Sequence, residues 1–304
     1  MTECIRIDRR VLPFAPAHRW ARKWFPALLP VLVCAITALH LPPWIYMWLL
    51  AASIFAAAKW ITVSDEFPWR NVSRGRMAAY LLLWPGLNFR SFHALTPLRP
   101  PTVSEWFMAV AKTVVGAVVI WGALRFLPPT HPIVIGWIGM VGIALVLHFG
   151  LFHILSNVWR AARFNAPPLM TNPIGATSLA RFWGGQWNKA FNDLMAPHVF
   201  APLVRKVGTT GAALAVFLIS GLLHEIVISL PARGGFGLPT FYFTIQGAGL
   251  WAERTRYGRK LGLGRGFRGW FFTAIVAGGP AYWLFHPVFV RQVILPMLRA
   301  IGAI

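Results

Sequence analysis

Acidic residues are scarce in this chain of 304: Asp and Glu together number 8 against 29 Lys plus Arg, a formal net charge of +21. Charge of either sign is thin, at 12% of residues, where a soluble domain carries about 25%. That composition excludes an ordinary soluble globular protein. Cysteine is nearly missing too. Cys4 lies in a basic N-terminal tail and Cys34 in an apolar run, which excludes a disulfide framework and a cysteine metal site. No small-residue cleavage site follows the basic N-terminus, so the first apolar run is expected to stay as a helix and not leave as a signal peptide. Nor is there an internal repeat with a period of roughly 20–50 residues, against the inverted-repeat plan of many transporters.

What is present is hydrocarbon. Hydrophobic residues make up 57% of the chain, 16 of them Trp, and the mean hydropathy is +0.59. This is the composition of a polytopic membrane protein, expected to be all-α. Length alone would suggest about two soluble domains, but no linker divides the chain, so one membrane-embedded domain over residues 1–304 is expected. The positive charge would point to nucleic acid in a soluble protein. Here it sits between apolar runs, as the positive-inside pattern and attraction to anionic lipid require. Membrane lipids are the expected partners, and nucleic acid is not.

Apolar runs of roughly 20 residues cross a bilayer. They are expected at Pro26–Leu41, Trp44–Trp60, Glu105–Phe126 (interrupted by Lys112), Ile133–Asn157, Gly208–Leu230, Phe236–Ala252 and Gly269–Val290, with a short apolar tail after the last. Residues 77–92 contain Leu-Leu-Leu-Trp84-Pro85-Gly86, too short to span and ended by a Pro-Gly break, so a re-entrant or interfacial segment is expected there. The basic residues fall in the tail 1–24 and in the segments 61–76, 160–206 and 253–268, whereas the opposite turns hold little beyond Arg125 and Arg233. That division places the N-terminus in the cytoplasm, with the bacterial inner membrane as the expected location.

Two stretches carry chemistry. Gly208–Leu230 is apolar except for His224 and Glu225, adjacent ionisable groups that are costly in hydrocarbon and therefore functional by default. A second histidine four residues on, which the zinc-protease motif needs, is lacking. An imidazole suits general-base work near neutral pH, and Ser220, one turn earlier, shares its face. Before this span lies Ser178-Leu-Ala-Arg181-Phe-Trp183-Gly-Gly-Gln-Trp187-Asn188. As a helix over 178–206, capped by Thr177 or Ser178, it would put Leu179, Trp183, Trp187, Phe191 and Leu194 on one face and Arg181, Gly184, Gly185, Asn188 and Asn192 on the other. Two glycines inside a helix cost about 1 kcal/mol each relative to Ala, which suggests that something large comes close to the backbone there.

Together, Phe182-Trp183-x-x-x-Trp187-Asn188 and Ser220-Gly221-x-x-His224-Glu225 resemble the wax synthase branch of the membrane-bound O-acyltransferases; Asn188 and His224 stand 36 residues apart. The upstream Leu-Leu-Leu-Trp84-Pro85-Gly86 and Leu-His148-Phe-Gly-Leu-Phe-His153 extend the similarity over roughly residues 77–230. One departure stands out: Gly185-Gln186 occupies the place of a basic pair common before the Trp-Asn of that family, which bears on how the donor's charged head is held.

The resemblance implies a bundle of about 7–9 spans with re-entrant or interfacial helices, enclosing a catalytic tunnel. His224 would activate an acceptor hydroxyl, and Asn188 would orient the acyl thioester or the acceptor. Trp183, Trp187, Arg181, Ser220, Glu225 and His148 would contact substrate. The implied reaction moves a fatty acyl group from acyl-CoA, a co-substrate, to a hydroxyl acceptor, with a long-chain alcohol as first choice. No metal and no further cofactor are implied. A different class, a proton-coupled transporter or channel using His224 and Glu225 as a relay, would want further buried acids, and the expected spans offer almost none.

Overall fold

The computed structural model describes residues 25–37, 41–66, 72–94 and 96–304; the basic tail 1–24, Cys4 included, lies outside them. Among the described residues the chain is all helix and turn, with no strand. Four helices are long and apolar enough to cross a membrane: Pro43–Ser64, Val103–Phe126, Pro132–Ala161 and Lys189–Ala232. A bent pair, Gly266–Leu284 and Pro287–Ala300 at 56°, makes a fifth if taken as one crossing. These spans keep much of their apolar surface outside the core. Only 22% of the best window of Val103–Phe126 is buried, and Val110, Val114 and Val118 stay exposed. Such surface is stable against lipid and not against water. The protein is an integral membrane protein.

Helices approach closely where side chains are smallest, as packing within lipid requires. A Cβ on Gly116 would lie 2.8 Å from the Gly142 carbonyl oxygen, which brings Val103–Trp121 against Pro132–Ala144. A Cβ on Gly221 would lie 2.8 Å from Cα of Thr240, so the His224 helix and Leu238–Arg254 pack backbone to backbone. At the end of the first pair, Arg160, 3% exposed, donates from Nη1 to Glu105 Oε1 at 2.7 Å.

The segment expected to be re-entrant is helical only in short pieces, Arg74–Ala78, Ala79–Leu83 and Phe89–His93, with Trp84 to Asn88 between them. Its loosened carbonyls find donors from other helices. Lys59 Nζ reaches the Tyr80 oxygen at 2.9 Å and that of Gly86, and Trp159 Nε1 reaches that of Leu83 at 3.1 Å. Lys59 Nζ also sits 3.5 Å from the Tyr80 ring centre.

Several expected boundaries moved. The helix over 178–206 is broken. Leu179–Arg181 runs into a wide turn of π-type bonding at Phe182–Gln186, Trp187 is extended, and Asn188 is left-handed at φ 46°, ψ 61°. The single helical face from Leu179 to Leu194 therefore does not form. From Lys189 the chain is helical to Ala232, so the helix that carries His224 begins well before Gly208. Gly208, at φ 71°, breaks this run at the residue where the span was expected to start. The tail after Val290 is not loose: it coils on to Ala300, and Val293, Ile294 and Leu298 are core residues. Among the described residues the first expected span is helical over Leu28–Thr37, and the sixth keeps its expected 17 residues but is shifted two positions onward, to Leu238–Arg254.

Candidate active site

The break at Trp187–Asn188 and the helix bearing His224 face one cavity of about 510 Å³. Its wall is mostly aromatic and aliphatic, with Ser220, His224, Asn188 and Asn192 among its polar groups and Arg254 the basic side chain on it.

His224 is positioned by its own helix. Its Nδ1 lies 2.7 Å from the carbonyl oxygen of Ser220. A carbonyl only accepts, so Nδ1 carries the proton and Nε2 is left with a lone pair. The Phe243 ring, 4.6 Å away centre to centre, limits the imidazole from the neighbouring helix. Immediately after His224 the bonding widens to π-type over Glu225–Ser229, a local distortion common at functional sites.

Asn188 is positioned by loops. Residues 169–171 bind the backbone on both sides of it: Lys189 N–H donates to the Leu169 carbonyl at 2.9 Å, and Thr171 N–H to that of Gln186 at 3.1 Å. The Asn188 side-chain oxygen accepts from the Phe191 N–H at 3.2 Å, starting the next helix. Asparagine tolerates the left-handed conformation better than most residues. Among the described residues its side-chain NH₂ has no protein partner, so a donor remains for whatever occupies the cavity.

Trp183 and Trp187 both line the cavity. The Trp187 ring stacks on Phe182 at 5.8 Å and 7°, and this pair also walls a second, apolar cavity of about 450 Å³. Trp183 Nε1 donates to Gln246 Oε1 at 3.3 Å, and Gln246 Nε2 donates to the Val276 carbonyl at 2.7 Å. Gln246 is fully buried in the mostly apolar middle of Leu238–Arg254. The sequence reading passed over it, although a lone amide in such a run is itself a signal. The two glycines of the motif meet no protein atom within 4 Å of an added Cβ, and Gly184 opens onto the cavity. What their small size leaves room for is therefore space, not another helix.

Three of the expected contacts stand outside this wall. Glu225 points to the neighbouring helix: its Oε1 accepts from the Gly237 N–H at 3.0 Å, the Thr240 N–H at 3.1 Å and Thr240 Oγ1 at 2.9 Å, holding the start of Leu238–Arg254. His224 and Glu225 are sequence neighbours and leave the helix about 100° apart, which is why only one reaches the cavity. Arg181 is exposed, and its N–H is capped by Ser178 Oγ at 3.1 Å, as the sequence suggested. His148 lines neither cavity and lies edge-on to Phe152 at 5.5 Å.

Cavity and motifs together define a membrane-embedded helical protein with an imidazole and an amide in one largely apolar chamber. Residues 166–245 match the model of the membrane bound O-acyl transferase family, a segment that holds both. A probable long-chain-alcohol O-fatty-acyltransferase of Arabidopsis thaliana is 31% identical over 141 residues, 41% of this chain and 40% of that relative. A long-chain-alcohol O-fatty-acyltransferase of Simmondsia chinensis is 30% identical over 139 residues, 41% of this chain and 39% of its own. An acyl-CoA–sterol O-acyltransferase of Arabidopsis thaliana is 30% identical over 101 residues, 30% of this chain and 29% of its own. The chain thus matches about two-fifths or less of the length of each of these relatives, and its site resembles the wax synthase-like branch of the family.

Proposed function

We propose that this protein is an integral-membrane O-acyltransferase that moves a fatty acyl group from acyl-CoA to a hydroxyl, with a long-chain alcohol as acceptor. One observation carries the reading: His224, its Nδ1–H committed to the Ser220 carbonyl, shares a cavity with the unpartnered NH₂ of Asn188. Nε2 takes the acceptor's proton as its oxygen bonds to the thioester carbon. The carbonyl oxygen gains negative charge, which the Asn188 amide is suited to stabilise. Collapse breaks the carbon–sulfur bond, and the thiolate leaves as CoA thiol with the proton from His224. The residues of this chain and the two substrates balance the reaction without a further cofactor. The relatives named for long-chain alcohols and for a sterol support the kind of acceptor, and the apolar cavity wall supports it independently. Purified protein given labelled acyl-CoA with a panel of alcohols, diacylglycerol and sterol should form ester, fastest with long-chain alcohol. No ester with any acceptor would overturn the assignment.

The proposal includes a single domain in which Leu28–Thr37 and Leu238–Arg254 add crossings to reach at least seven, with a tunnel running through the cavity. The N-terminus and the basic loops then lie in the cytoplasm of a bacterial cell. Cysteine labelling that places positions 189 and 234 on the same side would refute this topology.

A further inference from the structure

Gly185-Gln186 leaves the aromatic motif without a basic pair, yet an acyl-CoA donor brings several phosphate charges to the site. Among the described residues, Arg254 is the only Lys or Arg in the wall of the His224 cavity. It is the last residue of Leu238–Arg254, and its side chain is exposed at the cavity's edge. The preceding residue fixes it there. Glu253, 7% exposed, accepts from the Leu179 N–H at 2.6 Å and ties this helix end to the start of the aromatic motif. Consecutive helical residues point in different directions, so with Glu253 turned inward Arg254 is free to face the opening. No carboxylate of the described residues lies within ion-pair distance of Arg254. Arg259, from the following helix Arg256–Leu261, donates to the Arg254 carbonyl and adds a second cation at this corner.

The spacing suits the donor. Phe243, against His224, and Arg254 lie on one helix, eleven residues and roughly 16 Å apart at about 1.5 Å per residue. The pantetheine arm from thioester sulfur to the first phosphorus has about thirteen bonds, and an extended chain gains about 1.2 Å per bond, again roughly 16 Å. We infer that Arg254 binds a phosphate of the donor's nucleotide head, so that the thioester arm lies along Leu238–Arg254 and delivers its carbonyl to His224. This inference rests on the acyltransferase reading above.

The test compares two donors in neutral detergent without anionic lipid: an acyl-CoA and the matching acyl-pantetheine, which lacks phosphate. For Arg254→Gln, KM for acyl-CoA should rise about tenfold, as loss of one charge-assisted phosphate contact implies. Its kcat should stay within about twofold of the parent, and KM for acyl-pantetheine should not move. Arg254→Lys should recover part of the acyl-CoA affinity. Added salt should weaken acyl-CoA binding more in the parent than in Arg254→Gln. An equal rise in KM for both donors, or no rise for either, overturns the inference; the former would mark Arg254 as part of the wall or as a lipid contact. Should the variants not fold, adenosine 3′,5′-bisphosphate provides the second measurement on the parent protein. It should inhibit competitively with acyl-CoA and not with acyl-pantetheine, and failure to do so overturns the inference equally. A parent that transfers acyl groups from neither donor would instead sink the proposed function, while direct calorimetric binding of a non-hydrolysable CoA analogue to parent and Arg254→Gln would still judge Arg254.

Discussion

The two sides of the cavity are built by different means. His224 stands at the end of the apolar helix that follows the Gly208 break, and the group that orients its ring, the Ser220 carbonyl, is one turn away in the same helix. Asn188 stands where regular structure stops, in a left-handed backbone held by Leu169, Met170 and Thr171 from the preceding loop. The imidazole is thus placed by local geometry and the amide by contacts between separate segments. Errors on the two sides should have different signatures: pure chemistry on the helix side, chemistry mixed with folding on the loop side.

The largest effect is expected on the helix side. His224→Ala should lower turnover by about 10²–10⁴-fold, the usual contribution of a positioned acid–base group, with parental thermal stability and little change in donor KM. The parent's rate should also fall at acid pH, because only the neutral imidazole can accept the acceptor's proton. A folded His224→Ala protein with near-parental acyl transfer would remove the mechanism.

Next comes Asn188, where two substitutions separate amide from backbone. Asn188→Gly accepts the positive φ and should lose about 10²-fold in turnover, as removal of one oxyanion donor does, while its folding stability stays close to parental. Asn188→Ala should lose the same turnover and in addition about 1 kcal/mol of stability, because it gives up the cap to the Phe191 N–H and keeps a Cβ in the left-handed region without asparagine's local hydrogen bonding. Equal stability of the two, measured by thermal unfolding in detergent, would contradict the loop-held account of this side.

Glu225 tests whether the helix side depends on its neighbour. Glu225→Gln keeps an acceptor oxygen for Gly237 and Thr240 and should cost only a few-fold in rate. Glu225→Ala removes the acceptor and leaves the half-buried Thr240 donors without it, with a loss of stability of about 1 kcal/mol. If Glu225→Gln were as inactive as His224→Ala, Glu225 would belong to the chemistry or to a proton relay, and the transporter reading would return.

The smallest structural effect is expected at Gly184. An added Cβ meets nothing within 4 Å, so Gly184→Ala should unfold at the parental temperature. Its effect should be confined to KM, since the methyl group enters the cavity. A marked loss of stability would show that the wide turn at Phe182–Gln186 requires glycine for its own sake.

Much of this architecture was legible in the chain. The apolar runs around Trp44–Trp60, Glu105–Phe126 and Ile133–Asn157 became helices within a few residues of their expected ends, because burial in lipid depends on local hydrophobicity. Ser178 capped its helix as its residue type suggested, and the family resemblance of the two motifs is supported by the match over residues 166–245. The aromatic helix was legible only in part. Its i, i+4 pattern is that of a continuous helix, but contacts from residues 169–171 and Glu253 override it. The Pro287–Ala300 segment was undervalued because it is too short to span alone, yet it fills the core between other helices.

The sequence by itself determined that the chain enters a membrane, which segments are apolar enough to do so, and that one histidine and one asparagine lie in motifs that resemble those of an acyl-transfer family. Each of these rests on residues close together in the chain. Only the tertiary structure decided that His224 and Asn188 face one cavity while Glu225 turns away to hold the Leu238–Arg254 helix, that Gln246 meets Trp183 and that Arg254 lies on the cavity wall. Those outcomes depend on the angle at which a side chain leaves its helix and on packing between segments tens of residues apart, and no local pattern of residues encodes either one.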